Sequence, residues 1–327
     1  PEFQKELGLR VNHSNLCSEI TLATNEDRTA VCCLSSVNLE KFDEWQDNEY
    51  FISDLIRFLD NVLTFFIDNA PDSLEKARFS AMRERSIGLG AMGFHAYLQK
   101  KNIAFESMYA QSTNYTMFRH IKEQAQFETE ELAKERGACP DDKSETVRNA
   151  HLLAIAPNAS SSIICGNTSP SIEPFRANAF TQKTKTGSSL LKNKYLEQLL
   201  EQKGRNTDEM WKNIITNHGS VQHLDFLNEH EKGIFATAVE IDQRWVIQLA
   251  AMRQEFICQS QSCNIFFPAD VSKQELHNVH MMAWKKGMKT LYYLRSEAIK
   301  RADNVSDKKL REYIFDYGEE DCLACEG

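Results

Sequence analysis

Several things are missing from this chain of 327 residues, and each absence excludes a class of protein. No stretch approaches eighteen consecutive apolar residues, so no membrane-spanning helix is expected. Basic charge is not in excess: 38 Lys and Arg stand against 47 Asp and Glu, a net charge of −9. That balance argues against DNA or another polyphosphate backbone as the main partner, while leaving room for a small phosphorylated ligand held locally. No basic-then-apolar signal opens the chain. It begins Pro1-Glu2-Phe3-Gln4-Lys5, without an initiator Met, so a processed or partial polypeptide is expected. No internal repeat and no low-complexity linker interrupts it. Nine cysteines, an odd number without secretory features, point to the reducing cytoplasm rather than to a disulfide framework. A hydrophobic share of 42% with 26% charged residues is that of a globular chain with a sizeable core.

The periodicities that remain are helical for the most part. Phe51, Leu55, Ile56, Leu59, Val62, Leu63 and Phe66 recur at three- and four-residue spacing, and Asn69-Ala70-Pro71-Asp72 stops that helix. Residues 111–136 read as a second helix closed by Gly137. Helical spacing returns over residues 239–257. Ser272-Lys273-Gln274-Glu275 has the form of a capping box, opening a helix that ends at Gly287. Residues 21–37 are rich in β-branched side chains, consistent with strands parted by the turn Asn25-Glu26-Asp27, and residues 290–294 read as a short buried strand. Residues 154–173 are loop-rich. Helices alternating with short strands predict an α/β fold.

Seven motifs carry potential chemistry. Asn15-Leu16-Cys17-Ser18-Glu19, read as extended, puts an amide, a thiol and a carboxylate on one face, which suits chemistry on a hydroxyl-bearing substrate. The competing reading is a core cysteine beside a leucine. Gly88-Leu89-Gly90-Ala91-Met92-Gly93 matches a dinucleotide fingerprint, but Arg83-Glu84-Arg85-Ser86-Ile87 before it makes a poor strand, so close backbone packing is the better explanation. His277 with His280, and Cys258 with Cys263, lack the further ligands a metal needs. Pro157-Asn158-Ala159-Ser160-Ser161-Ser162 is either a phosphate cradle or a plain serine turn. Tyr292-Tyr293 is by itself a pair of strand aromatics. Cys322-x-x-Cys325, in an acidic terminus, has the spacing of a dithiol that can close to a disulfide.

In chain order, Ser14-Asn15-Leu16-Cys17-Ser18-Glu19-Ile20, Ala30-Val31-Cys32-Cys33-Leu34-Ser35, residues 85–94 with the glycine run, Arg148-Asn149-Ala150 through the serine turn, Gln259-Ser260-Gln261-Ser262, Leu291-Tyr292-Tyr293-Leu294-Arg295 and the terminal cysteine pair resemble the large catalytic subunit of class I ribonucleotide reductase. The resemblance implies the C-terminal part of a ten-stranded α/β barrel over residues 1–305 and a flexible, redox-active tail over residues 306–327. It implies that Cys17 forms a transient thiyl radical that takes the ribose 3′ hydrogen, that Glu19 is the general base for the 3′-OH, and that Asn15 holds substrate oxygens. Cys32, favoured over Cys33 by the Leu-Ser that follows, is implied as one member of the reducing dithiol. Ala159, Ser160 and Ser161 would hold substrate phosphates, with Ala159 where some relatives carry an acidic residue. Tyr292 and Tyr293 would pass the radical inward from a metal-containing small subunit, so no cofactor is expected on this chain itself. Cys322 and Cys325 would reduce the active-site disulfide and be reduced by thioredoxin or glutaredoxin.

One departure matters. The family's second active-site reductant cysteine and its effector domain lie N-terminal to the radical cysteine, and only sixteen residues precede Cys17 here. The chain is therefore expected to work with a complementary N-terminal half of the large subunit. Two other readings stand beside this one: a reductase that takes its radical from adenosylcobalamin, and a non-catalytic remnant that binds or regulates a reductase. The paired tyrosines favour the small-subunit route, and the intact set of thiols argues against a remnant. A thiol–disulfide carrier built on the tail leaves the internal motifs unexplained.

Overall fold

The computed structural model describes residues 2–184 and 187–296. A short helix α1 (Glu2–Glu6) precedes a long loop that leads into strand β1 (Cys33–Asn38). Helices α2 (Phe42–Trp45), α3 (Phe51–Asn69) and α4 (Glu75–Glu84) follow, then β2 (Ile87–Met92), α5 (Phe94–Lys100), the long α6 (Met108–Arg136) and the single-turn α7 (Ala159–Ile164). A hairpin, β3 (Ala179–Thr184) and β4 (Gly187–Lys192), carries helices α8 (Lys194–Gln202), α9 (Asp208–Thr216) and α10 (Glu229–Ile234). Helix α11 (Gln243–Gln254), β5 (Ile265–Phe267), α12 (Lys273–Lys285) and β6 (Leu294–Ser296) complete it.

The strands form a wall of parallel segments. β1 pairs with β2 in parallel, Cys33 opposite Ile87 through Asn38 opposite Met92. On the far side of β2, Leu89 N donates to Leu152 O and Ala154 N to Leu89 O. Segment 151–155 then pairs with segment 259–262, through Gln259 N to Leu153 O and Ser262 N to Ile155 O. That chain continues into β5, which pairs in parallel with β6. Helices α3, α6 and α11 cover one face, and their apolar stripes form the main core with Leu59, Leu63, Phe118, Ile121 and Leu249. A second core, around Trp211, Leu196 and Leu200, belongs to the β3–β4 hairpin and its helices.

Three sequence expectations need correction. Residues 21–32 contain no strand; Leu22 and Ala23 are buried side by side, so the two-residue alternation of a sheet is absent. The turn itself is present, with Asn25 Oδ1 accepting from Asp27 N and Arg28 N. The strand expected over residues 290–294 starts only at Leu294, and it is largely exposed. The cause is local: Tyr292 N donates to Cys263 O, but Tyr293 N donates to the side chain of Asn264 (3.0 Å), which interrupts the ladder. The loop-rich stretch 154–173 also holds α7. The remaining helix expectations hold in substance: α6 is capped by Ser107 and ends at Gly137, and the Ser272 hydroxyl accepts from Glu275 N at the start of α12.

Candidate active site

The glycine-rich run shapes one side of the site. Residues 88–92 lie inside strand β2 and Gly93 caps α5, all of them buried; with Leu89 N donating to Leu152 O and Gly93 N to Ser169 O, the run does not present the free N–H groups of a pyrophosphate loop. A Cβ on Gly88 would meet Leu34 Cδ2 at 2.5 Å and Cys32 Sγ at 3.0 Å; one on Gly90 would meet Ala154 O at 2.6 Å and Ser36 Oγ at 3.2 Å. Bare backbone at these positions makes room for Cys32, Leu34 and Ser36, which share one face of the strand. Cys33 points the other way and packs against the main core. The two adjacent thiols are thereby separated.

Cys17 is 1% exposed. Its loop is a tight turn and not the extended segment expected: Ser18 N donates to Asn15 O, and Ser18 has φ +69°. Asn15, Cys17 and Glu19 therefore do not line up by alternation. The Asn15 side-chain oxygen accepts from Ile20 N (3.0 Å), spending that atom on the loop itself. Segment 259–262 rivets the loop in place. Ser260 N donates to Glu19 O, and Ser262 Oγ lies between Cys17 O and Glu19 Oε2, 3.0 Å from the latter. Glu19 is buried, so its carboxylate depends on that hydroxyl.

From the opposite end of the chain, Tyr292 reaches the same point. The Cys17 thiol donates to Tyr292 Oη at 3.4 Å, and the Tyr293 ring lies 4.0 Å from the Tyr292 ring, centroid to centroid. Burial, then the contacts with Cys17 and Tyr293, push the Tyr292 phenol well above its ordinary range, so it rests protonated. Cys32 accepts from Gln259 Nε2 at 3.3 Å. Burial pushes its thiol up, the Gln259 contact opposes that, and the charge of Glu19 adds to the rise. Cys32 is held as a thiol within the electrostatic reach of the Cys17 loop.

The serine turn is joined to the same face. Ser36 Oγ donates to Asn158 Oδ1 (3.1 Å), and Asn158 Nδ2 to Ser161 Oγ (3.3 Å). Asn158, at φ +55°, turns the chain so that Ala159, Ser160 and Ser161 form the first turn of α7, where backbone N–H groups lack intrahelical partners. Cys322 and Cys325 lie outside the described residues. A cavity of about 540 Å3 opens elsewhere, beside His151, Cys258 and Lys286, and none of the site residues expected from the sequence lines it. Among the described residues no three His, Cys, Asp or Glu side chains converge as metal ligands, and no helix is long and apolar enough to cross a membrane.

Gln259, Ser262 and Asn264 are the supporting residues that the sequence reading did not single out as site residues. The run Gln259-Ser260-Gln261-Ser262 is uncharged and polar yet fully buried; Gln259 Nε2, Gln261 Nε2 and the two serine hydroxyls are hydrogen-bonded, while Gln259 Oε1 and Gln261 Oε1 have no partner among the described residues.

A parallel strand wall backed by helices, with the buried Cys17 thiol of a tight loop against the Tyr292 phenol, is part of an α/β barrel. The family described as ribonucleotide reductase, barrel domain, matches residues 2–145 and 141–294, and the chain belongs to that family. It is 51% identical over 298 residues to the ribonucleoside-diphosphate reductase large subunit of Invertebrate iridescent virus 6, covering 90% of this chain and 31% of that one. To the large subunit of Invertebrate iridescent virus 3 it is 47% identical over 336 residues, covering 100% of this chain and 52% of that protein. The Actinobacillus ureae class Id ribonucleotide reductase alpha subunit superposes with a TM-score of 0.85 at 42% identity, covering 91% of this chain and 56% of that one. The chain thus spans from about a third to somewhat more than half of the length of these relatives.

Proposed function

We propose that this chain supplies the reacting thiol, its base and the inner radical-transfer tyrosines of a ribonucleoside-diphosphate reductase large subunit, an oxidoreductase making deoxyribonucleotides for DNA synthesis in the cytoplasm. The contact that carries the reading joins Cys17 Sγ to Tyr292 Oη across 275 residues of sequence at 3.4 Å. That geometry suits a hydrogen-atom exchange in which a Tyr292 phenoxyl takes the thiol hydrogen and leaves a thiyl radical. The thiyl then takes the ribose 3′ hydrogen, while Glu19 accepts the 3′-OH proton. Asn15, through its amide N–H groups, holds substrate oxygens. Cys32 with a second thiol on a complementary N-terminal half gives a proton to the 2′-OH, which leaves as water, and a hydrogen atom and an electron to the sugar as the pair closes a disulfide; Glu19 returns its proton to O3′ and Cys17 its hydrogen to C3′, which restores the thiyl. Ser160, Ser161 and the backbone at Ala159 hold the phosphates at the first turn of α7. Cys322 and Cys325 would then reduce that disulfide and be regenerated by thioredoxin or glutaredoxin.

In this reading the radical originates in a metal-containing small subunit and enters through Tyr293 and Tyr292. A direct tyrosine–thiol contact favours that route over adenosylcobalamin, and dependence of turnover on added cobalamin would reverse the preference. The test is reconstitution with the N-terminal portion of the large subunit and a small subunit, followed by assay of deoxynucleotide formation. Cys17→Ser and Tyr292→Phe are each expected to abolish both turnover and 3′-hydrogen exchange. Cys322→Ser should keep a single turnover and lose support by thioredoxin. Turnover surviving in Tyr292→Phe would overturn the radical route.

A further inference from the structure

Glu173 is 2% exposed and takes no part in the chemistry above. Its Oε1 accepts from Asn264 Nδ2 at 2.6 Å, and Asn264 Oδ1 accepts from Tyr293 N at 3.0 Å. This is the contact that interrupts the β5–β6 ladder and delays the strand to Leu294. The Tyr293 ring in turn lies tilted against the Tyr292 ring, whose hydroxyl meets Cys17. We infer that Glu173, acting through Asn264, is a positioning residue for the Tyr292–Tyr293 pair. The inference rests on the proposed role of those tyrosines and adds a proton-dependent control to it.

The physical reason lies in the asymmetry of an amide. An ionised Glu173 only accepts, so it fixes Asn264 with Nδ2 toward itself and Oδ1 toward Tyr293 N–H. A protonated Glu173 can donate to Oδ1. The amide is then free to flip and to offer its N–H2 to the Tyr293 N–H, where donor faces donor and the bond is lost. Burial raises Glu173 to about 7, against the pull of Arg176, Arg295 and the hydrogen bonds from Asn264, and its charge in turn raises the Cys263 thiol. Arg295 also lies over the Tyr293 ring at 5.0 Å, and Arg176 over Phe266 at 5.7 Å. The switch therefore falls where a cell can move it.

Amide hydrogen–deuterium exchange of the full chain between pH 6 and 8, corrected for intrinsic chemical rates, reads the Tyr293 N–H directly. Protection should fall roughly tenfold as the pH drops through this range, the factor expected for loss of about one neutral amide hydrogen bond. Glu173→Gln should remove the pH dependence, because its side chain no longer titrates. In the reconstituted enzyme, the acidic limb of the kcat profile should be lost in the same variant. A wild-type Tyr293 amide with no step, or a step that persists in Glu173→Gln, would overturn the inference. Neither exchange result depends on turnover, so failure of the proposed function, seen as an active Tyr292→Phe, remains distinguishable.

Discussion

A carboxylate with no solvent access persists only when cations and N–H groups surround it, and Asp60 on α3 is such a group. Arg85 reaches it at 2.7 Å, Arg136 at 3.1 Å and Arg148 at 3.5 Å, with Asn149 Nδ2 donating at 3.1 Å. Burial alone would raise its pKa, but Arg85 and Arg148 with Asn149 hold it below the ordinary carboxylate range. A depressed folded-state value means that the contribution is present above the unfolded pKa and disappears as pH falls through the folded one. Asp60→Ala leaves buried arginines uncompensated, so it is expected to cost about 3–5 kcal/mol in urea unfolding at pH 7. The gap should narrow as the pH falls below the ordinary carboxylate range, where the wild type loses its own ion pairs; an unchanged gap would refute the assignment. Nothing in the sequence singled out Asp60, because an acidic residue between Leu59 and Asn61 reads as the polar edge of an amphipathic helix. Cys17, Glu19 and Cys32 were legible because thiols and carboxylates bring chemistry of their own. Their supports, Ser262 and Gln259, are common residue types whose importance comes only from burial.

At the scale of elements, the helices were readable and the strands only in part. The apolar stripe of α3 sets its length and its stop, and Ser107 and Gly137 mark the ends of α6. The strand ends went astray where side chains compete for backbone hydrogen bonds, Asn264 at Tyr293 and Asn15 at Ile20. Neither competition is visible without knowing which segments are neighbours. Strand β2 supplies the clearest test of element packing. A Cβ at Gly90 would lie 2.6 Å from the carbonyl oxygen of Ala154, a backbone atom held by the neighbouring strand, so relief requires the strands to part. Gly90→Ala is therefore expected to lower stability by roughly 2–4 kcal/mol in thermal or urea melts. Gly88→Ala should cost less, since its closest contact is the end of the Leu34 side chain, which can rotate. Equal effects of the two substitutions would mean that the close approach at Gly90 is not limiting.

On the scale of the whole molecule, the wall of parallel segments is ordered β1, β2, 151–155, 259–267 and 292–296, and it brings residue 17 to residue 292. Local pattern could not give that order, because every neighbour is reached by a crossover through a helical layer. Among the described residues β1 pairs on one side only, with β2, so its outer edge carries peptide groups without a strand partner. A parallel edge bearing Leu34, 41% exposed, is a template for another strand. If a complementary polypeptide completes the barrel, it should add its strand at that edge. In the isolated chain the β1 amides that face away from β2 should exchange with solvent much faster than those of β2, which is bonded on both sides. Mixing with the N-terminal portion of the large subunit should slow exchange across β1 while leaving β2 nearly unchanged. Complex formation with no gain of protection in residues 33–38 would place the joint elsewhere.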